Sequence, residues 1–307
     1  MKINPDKQFE PNFGDLIKIA KQYDFVPLTF TKSTTGIENT TIIIETKTGK
    51  YVIRIYRQGK KNNNSIRQEL DFMQYLHANG VAVPGVLPNK SNELISVTSK
   101  GNQSWQVIVM EFVEGIHAAS YSRTIINELA SIQAKLHILS STYTPVQETK
   151  EKLTILHENN FLSQIDIKCL ANAQLRAFLQ RAKEYIVALD PSLPNGLCHL
   201  DYDKDNSLSK NDSITAILDF DDLAVAPFVV CLSYTLWHVH RYGGVNAAQK
   251  YLNAYQTIRP LSSEEKRYIR PVKLFRHYVI SSLKVLYKHT SLLEIEQYLD
   301  LEKELFD

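Results

Sequence analysis

The sequence contains little of what zinc, redox and polyanion-binding proteins use. Only three of its 307 residues are cysteines, an odd number, widely spaced and without a C-x-x-C pair: Cys169, Cys198 and Cys231. We predict no zinc or redox cluster and expect these thiols to be buried in a reducing compartment. The 35 basic and 33 acidic residues leave a net charge of only +2. Nucleic acid and anionic membrane surfaces are therefore not expected as partners.

Long apolar runs are also missing. The amino-terminal MKINPDKQFEPNFGD carries charges and prolines where a signal peptide needs an apolar segment. The longest stretch without Asp, Glu, Lys or Arg, residues 223–240, contains a proline, polar residues and two histidines. We predict that this stretch is buried core, that the chain does not enter a membrane, and that the protein is cytoplasmic.

The first third of the chain has the pattern of a sheet with one helix. Two β-branched and aromatic runs, 41–45 and 51–57, flank a turn with Gly49 and predict a hairpin. Ser65 is expected to cap a following helix that ends at Gly80. A further strand pair is predicted around SKGNQS, with WQVIVMEFVEG as its second arm. The preceding KKNNNS, residues 60–65, is expected to be a solvated loop.

Beyond Gly115 the pattern becomes helical. Apolar residues keep helical spacing along TIINELASIQAKLHIL, at Ile125, Leu129, Ile132, Leu136 and Leu139. Only SITAILDF, residues 213–220, alternates like a strand. The predicted class is therefore α+β with two lobes: a strand-rich lobe over 1–113 and a mainly helical lobe over 114–307.

The acidic segment HLDYDKDNSLSKND, residues 199–212, allows three interpretations. As a calcium loop it puts oxygen-bearing side chains at ligand positions 1, 3, 5, 7, 9 and 12. However, Asn206 stands where the turn needs glycine, Asp212 is shorter than the usual glutamate, and both flanking helices are missing. The second interpretation is a solvated acidic turn, and the third is a catalytic loop.

As a catalytic loop, the segment fits H-x-D-x-x-x-x-N with His199, Asp201 and Asn206, and Asp219 follows one strand later. Phosphoryl transfer needs these residue types. One carboxylate accepts the proton of the substrate hydroxyl, while a carboxamide and a second carboxylate hold Mg²⁺ against the nucleotide phosphates. A hairpin between Asn206 and Asp219 would bring the second metal ligand back beside the first.

The first lobe supplies the basic residue that this chemistry requires. Arg54 lies on the strand YVIRIYR and Glu69 on the following helix, which is the arrangement that fixes a basic side chain over nucleotide phosphates. We therefore favour the catalytic interpretation of the acidic segment.

From about residue 36 to about residue 238 the chain resembles the aminoglycoside phosphotransferase and choline kinase superfamily, which has a protein-kinase-like fold. HLDYDKDN and ILDFDD resemble the catalytic and metal-binding segments of that superfamily and are the specific motifs. Supporting likenesses are the first hairpin (GIENTTIIIETKTGKYVIRIYR), the helix with its turn (QELDFMQYLHANGVAVP), the hinge (VIVMEFVEG) and LASIQAKLH.

The resemblance implies a role for each matching residue. Asp201 would be the catalytic base, Asn206 and Asp219 the Mg²⁺ ligands, and His199 a support for the loop. In the first lobe, Arg54 paired with Glu69 would lie near the phosphates, Met110 would be the gatekeeper, and the Glu111 carbonyl and Val113 N–H would meet the adenine.

Three positions depart from the pattern of the superfamily. The phosphate loop STTGIEN has a single glycine, Gly36, and Arg54 stands where relatives often have lysine. After PFVV, Cys231 replaces an aspartate whose carboxylate steadies the catalytic loop. The last departure keeps a nucleotide-binding regulator or pseudokinase open as an alternative.

The expected function is transfer of the γ-phosphate of ATP or GTP, with Mg²⁺, to the hydroxyl of a small molecule. Four rim carboxylates, Asp203, Asp205, Asp221 and Asp222, favour a cationic acceptor such as an aminoglycoside or amino alcohol, or else they only solvate the loop. GIEN and the VAVP turn also resemble homoserine kinases, so a homoserine or choline-type metabolic kinase is the alternative.

Overall fold

A computed structural model of the protein describes residues 9–33, 39–59, 61–144, 162–164, 172–185, 187–287 and 292–306. The chain divides into two compact units. Among the described residues, the first comprises those up to Gly115 together with Thr215–Leu218, and the second comprises those of Ile116–Thr144, those from 162 to Ile214 and those from Asp219 onward.

The first unit is built on an antiparallel sheet. Its strands are β1 (Pro27–Lys32), β2 (Thr40–Thr46), β3 (Lys50–Ile55), β4 (Val86–Leu87), β5 (Ser96–Lys100) and β6 (Gln103–Glu111). The order is β1-β2-β3-β6-β4, and β5 also pairs with β6. Both predicted hairpins are confirmed, because β2 pairs with β3 around the Thr46–Gly49 turn and β5 pairs with β6.

Two helices belong to this unit, α1 (Phe13–Lys21) and α2 (Asn63–Ala78). A capping box between Asn12 and Asp15 fixes the start of α1. The prediction that Ser65 caps α2 is wrong: Asn62 is the N-cap, and its side chain accepts the Ser65 N–H. The prediction of a solvated loop is also wrong for residues 63–65, which form the first turn of α2, because the side-chain oxygen of Asn62 caps the helix three residues earlier than Ser65 would.

Alternation along β2 turns every second side chain into the core of the first unit. Ile42 and Ile44 of β2, Ile53 and Ile55 of β3, and Trp105, Val107 and Val109 of β6 pack there with Leu16 and Ile19 of α1. The sheet is therefore covered by α1 on its apolar face.

The second unit is mainly helical. Its helices are α3 (Arg123–Thr142), α4 (Ala173–Glu184), α5 (Phe228–Gly243), α6 (Val245–Ile258), α7 (Ser263–Tyr287) and α8 (Leu292–Phe306). Ser122 caps α3 by accepting the Ile125 N–H. A large core cluster joins α4, α5 and α7 through residues such as Phe178, Trp237 and Phe275. The predicted α+β class, with an antiparallel sheet first and helices after, is confirmed.

Residues 223–240 form β10 (Ala224–Pro227) and most of α5, and nearly all of their side chains from Phe228 onward are buried. The expectation of a core segment is confirmed. In the part of the chain that the structure describes, every helix is too short or too polar to cross a membrane.

Candidate active site

A two-stranded sheet in the second unit brings the two acidic segments together. In β7 (Asn195–Cys198), Cys198 pairs with Ala224 of the antiparallel β10. The loop that starts at His199 and the loop that ends at Leu223 therefore leave the same end of this sheet. Between the two loops lie β8 (Ser207–Lys210) and β9 (Ser213–Ile217), which pair with each other as predicted for the hairpin.

Asp201 and Asn206 are in direct contact. The Asn206 Nδ2 donates to the Asp201 Oδ2 and to the Asp201 carbonyl oxygen, both at 2.8 Å. The carboxylate of Asp201 stays 45% exposed. An accessible carboxylate with a fixed orientation can accept a proton from a ligand hydroxyl.

Asp219 lies on the second acidic segment, directly before Phe220. Its backbone is left-handed, with φ 61° and ψ 67°, and it precedes a short 3₁₀ turn, Phe220–Asp222. The buried ring of His199 packs against the ring of Phe220 at 4.6 Å between centroids and edge-on against Tyr202. His199 thus joins the two segments by packing, and its supporting role stays a prediction.

The loop that carries Asp201 is held from both sides by long-range hydrogen bonds. The Tyr202 hydroxyl donates to the Leu129 carbonyl of α3 at 2.9 Å, and the Thr235 hydroxyl of α5 donates to the Tyr202 carbonyl at 2.9 Å. Because Tyr202 follows Asp201 directly, these bonds fix the position of the acid in the loop.

Asp203 organises the turn between Asp201 and Asn206. Its Oδ1 accepts the main-chain N–H groups of Asp205 at 2.7 Å and Asn206 at 3.0 Å. Burial, with the nearby charge of Asp201, raises the pKa of Asp203 to about 7. The turn between Asp201 and Asn206 therefore depends on a carboxyl group whose ionisation is unfavourable.

A hydrogen-bonded chain extends from Asp203 through His238 to Tyr121. The His238 Nε2 lies 3.0 Å from Asp203 Oδ2, and its Nδ1 lies 2.7 Å from the Tyr121 hydroxyl. Burial lowers the pKa of His238 to about 4 and raises the pKa of Tyr121. A neutral His238 then donates a hydrogen bond from Nε2 to Asp203 and accepts one from the Tyr121 hydroxyl at Nδ1.

An arginine stands beside the candidate base. The Arg276 Nη2 of α7 lies 3.6 Å from Asp201 Oδ1, and its guanidinium lies over the Tyr234 ring of α5 at 4.4 Å. The Arg276 side chain is only 15% exposed. Stacking on a buried ring gives this long side chain a defined direction.

Cys231 packs behind the loop with Cys198. Gln133 Nε2 donates to the Cys231 Sγ at 3.6 Å, and the Sγ atoms of both cysteines lie within 4.8 Å of each other and of a His137 ring nitrogen. Burial alone would raise the pKa of Cys231, but hydrogen bonds from the Cys198 thiol and His137, together with one from the Leu200 N–H, hold it well below its usual value. The predicted burial is confirmed for these two thiols; Cys169 lies outside the described residues.

In the first unit, Glu69 is buried and paired. Its carboxylate accepts from the Tyr56 hydroxyl at 3.0 Å and from Lys61 Nζ at 2.5 Å. The Arg54 guanidinium lies over the Tyr56 ring at 5.5 Å. Tyr56 therefore contacts both residues of the predicted Arg54–Glu69 pair, and that pairing stays a prediction.

The predicted hinge segment VIVMEFVEG, residues 107–115, begins in the central strand β6 and continues beyond its end. Met110 pairs with Val52 and Val86, and the Glu111 N–H donates to the Gly85 carbonyl at 2.8 Å. Val113 lies two residues beyond the end of β6. Gly36 and most of the predicted phosphate loop lie outside the described residues.

Sequence reasoning missed four side chains in these surroundings: Tyr121, His238, Arg276 and Lys61. Tyr121 contacts His238 across 117 residues, and Arg276 reaches Asp201 from α7, so no motif spacing connects these partners. Lys61 could have been found, because a lysine close before a helix that carries a buried glutamate is a candidate partner.

The fold and the loop geometry together define a phosphotransferase of the protein-kinase-like class. The sequence pattern of the phosphotransferase enzyme family matches residues 29–268, and the chain belongs to that family. The predicted family and enzyme class are thereby confirmed.

Curated relatives include homoserine kinases. That of Afipia carboxidovorans is 25% identical over 236 residues, which cover 75% of this chain and 71% of that protein. That of Bartonella henselae is 26% identical over 242 residues, covering 74% and 70%.

Similar solved structures share the fold at lower identity. An amicoumacin kinase in complex with AMP-PNP, Ca²⁺ and Ami is 18% identical, with a TM-score of 0.77 over 99% of this chain and 96% of that one. A microcompartment-associated aminopropanol kinase is also 18% identical, with a TM-score of 0.76 over 96% and 94%.

Proposed function

We propose that this phosphotransferase transfers the γ-phosphate of ATP to the hydroxyl of a small molecule, with Asp201 as the base. The observation that carries the proposal is the accessible Asp201 carboxylate with one oxygen fixed by the Asn206 amide. In the reaction, the acceptor O–H bond breaks and its proton goes to Asp201. The acceptor oxygen bonds to the γ-phosphorus, and the bond to the β–γ bridging oxygen breaks to release ADP.

Asn206 and Asp219 are the proposed ligands of a divalent cation, Mg²⁺. Both offer oxygen atoms, which suit a hard cation. Since the Asn206 Nδ2 donates to Asp201, its Oδ1 is the atom left for a metal, and Asp219 is exposed on the neighbouring loop. When bound, the cation would neutralise charge on the nucleotide phosphates.

The first lobe, 1–113, is proposed to bind the nucleotide, and the second lobe, 114–307, to carry catalysis and acceptor binding. Arg54 with Glu69 would act near the phosphates, Met110 as gatekeeper, and Glu111 and Val113 through their main chain on the adenine. Solved neighbours that hold AMP-PNP, ADP or GDP support a nucleotide in this fold and leave ATP and GTP as candidates.

The acceptor class follows from two lines of support. The homoserine kinases at 25% identity favour a small hydroxylated metabolite. The amicoumacin, aminopropanol and spectinomycin kinases of similar fold favour an amine-bearing acceptor. Homoserine and aminopropanol each carry a hydroxyl and an amine. The prediction that Asp203 lies on the rim is wrong, because Asp203 is buried, and the exposed Asp205 is the carboxylate that is compatible with such an amine.

The test is ADP release from Mg-ATP with a panel of homoserine, aminopropanol, choline and aminoglycosides. Asp201→Asn should lower kcat by about 10² to 10⁴-fold for the stimulating acceptor, because a general base contributes that much. Asp212→Asn is the matched control, since Asp212 is an exposed carboxylate that accepts a hydrogen bond from the Ser122 hydroxyl at 2.9 Å. Acceptor-stimulated turnover that survives Asp201→Asn would refute the role of Asp201. Nucleotide binding without any stimulation would favour the regulator alternative.

A further inference from the structure

The position of Arg276 constrains what can approach the candidate base. An acceptor hydroxyl must reach Asp201, and the Arg276 guanidinium already lies 3.6 Å from the Asp201 Oδ1. Accepting the hydroxyl proton at Asp201 does not require this arginine, and a ligand bound at Asp201 would also meet the Arg276 guanidinium. A contact between the Arg276 guanidinium and the acceptor would account for the position of Arg276 beside Asp201.

The direction of Arg276 is set by packing. Its guanidinium lies over the ring of Tyr234, which is buried, at 4.4 Å. A stacked guanidinium keeps its N–H groups in the plane parallel to the ring, where they match a planar carboxylate with two parallel hydrogen bonds. Because the Arg276 Nη2 lies 3.6 Å from Asp201 Oδ1, one edge of the guanidinium faces the proposed catalytic loop.

Charges of both signs surround the same spot. His238 lies 3.0 Å from Asp203 and 3.7 Å from Asp205. Burial lowers the pKa of His238. The negative charges of Asp205 and Asp201 raise this pKa, and the positive charges of Lys204 and Arg276 lower it. An acceptor with one cationic and one anionic group beside its hydroxyl would satisfy both kinds of partner.

We propose that Arg276 binds a carboxylate of the acceptor, so that the substrate class is a hydroxy acid and, with its amine toward the exposed Asp205, a hydroxy amino acid. This inference rests on the proposed kinase function. It makes Arg276 a specificity-determining residue, and it separates this chain from kinases whose acceptors are purely cationic.

Matched acceptors test the inference directly. Homoserine is compared with homoserine amide, which keeps the hydroxyl and the amine but lacks the anionic charge, and with 3-aminopropan-1-ol. Initial rates give kcat and KM for each acceptor at saturating Mg-ATP. Wild-type protein should prefer homoserine over its amide by about 10 to 100-fold in kcat/KM, as a charge-assisted pair provides.

Variants of Arg276 identify the residue responsible. Arg276→Met should remove that preference, mainly by raising the KM for homoserine, and Arg276→Lys should keep part of it. The KM for ATP should stay unchanged. Arg267→Met is the matched control on the same helix, because the Arg267 side chain is 70% exposed and pairs with Glu264. Circular dichroism and the melting temperature of each variant check that it folds.

Three results would overturn the inference. The first is equal use of homoserine and its amide, and the second is phosphorylation of amino alcohols alone. The third is a loss in Arg276→Met that lowers kcat equally for every acceptor, which would assign Arg276 to the transferred phosphate. Each of these leaves the kinase function intact. Failure of the kinase proposal itself looks different, because no acceptor of any class would then stimulate ADP release.

Discussion

Asp203 gives the sharpest stability prediction, because one buried carboxyl holds two main-chain N–H groups of the proposed catalytic loop. Its pKa is raised from 3.8 to about 7, a difference of about 3 units. At 1.36 kcal/mol per unit, ionisation in the folded protein costs about 4 kcal/mol more than in the unfolded chain. The folded state therefore favours a neutral group at this position.

The sign determines how stability changes with pH. A group with a raised folded pKa loses stabilisation as the pH increases from about 4 to about 7, and the loss is constant above that. Asp203→Asn keeps an oxygen that accepts both N–H groups and carries no charge. We expect this variant to be more stable than the wild type at pH 8, by about 1–3 kcal/mol once rearrangement of the His238 contact is allowed for.

Asp203→Ala is the matched comparison, since it removes the acceptor along with the charge. Two partly buried N–H groups without an acceptor should make it less stable than Asp203→Asn by about 2–4 kcal/mol. Urea unfolding of the three proteins at pH 5 and pH 8 gives the free energies of unfolding. The reasoning is refuted if Asp203→Asn is less stable than the wild type at pH 8, or if its advantage does not grow between pH 5 and pH 8.

Three further outcomes are expected. Asp219→Ala should abolish Mg²⁺-dependent ATP binding in calorimetry, whereas Asp222→Ala should retain it; equal affinities in the two variants would exclude the ligand role of Asp219. Glu69→Ala should lower the free energy of unfolding by about 3 kcal/mol, because it removes the buried carboxylate that holds Lys61 and the Tyr56 hydroxyl, and Glu10→Ala, from an exposed pair with Lys32, by less than about 1 kcal/mol. The imidazole of His238 should stay neutral down to about pH 4 in an NMR titration, because burial lowers its pKa, and a midpoint near 6.5 would contradict the hydrogen-bonded chain to Tyr121.

The sequence predicted those parts of the site that are contiguous in the chain. Asp201 and Asn206 lie five residues apart, and their contact depends on one turn, so a local motif was sufficient. The β2–β3 and β5–β6 hairpins were predictable for the same reason, since alternation and turn residues are local signals.

What the sequence could not predict depends on tertiary packing. Arg276 reaches Asp201 from α7, and Tyr121 reaches His238 across 117 residues, so no spacing rule connects them. The prediction of the N-cap of α2 was wrong for a different reason. Asn62 and Ser65 are both good N-caps, and only the backbone conformation selects Asn62, whose φ is −89° and ψ 169°.

Cys231 shows why contacts, rather than residue type, decide what a departure from a family pattern means. Leu200, directly before Asp201 in the proposed catalytic loop, adopts a left-handed φ of 63°. Since this conformation is unfavourable for leucine, hydrogen bonds from the surrounding structure must hold it. The Leu200 N–H and the Gln133 amide both act on the Cys231 sulfur as donors. The Cys231 sulfur accepts the Gln133 amide at 3.6 Å, a longer bond than an oxygen acceptor would make, because sulfur is the larger atom. The replacement therefore changes the kind of acceptor behind the loop and leaves an acceptor in place, so Cys231 alone gives no ground for expecting an inactive protein.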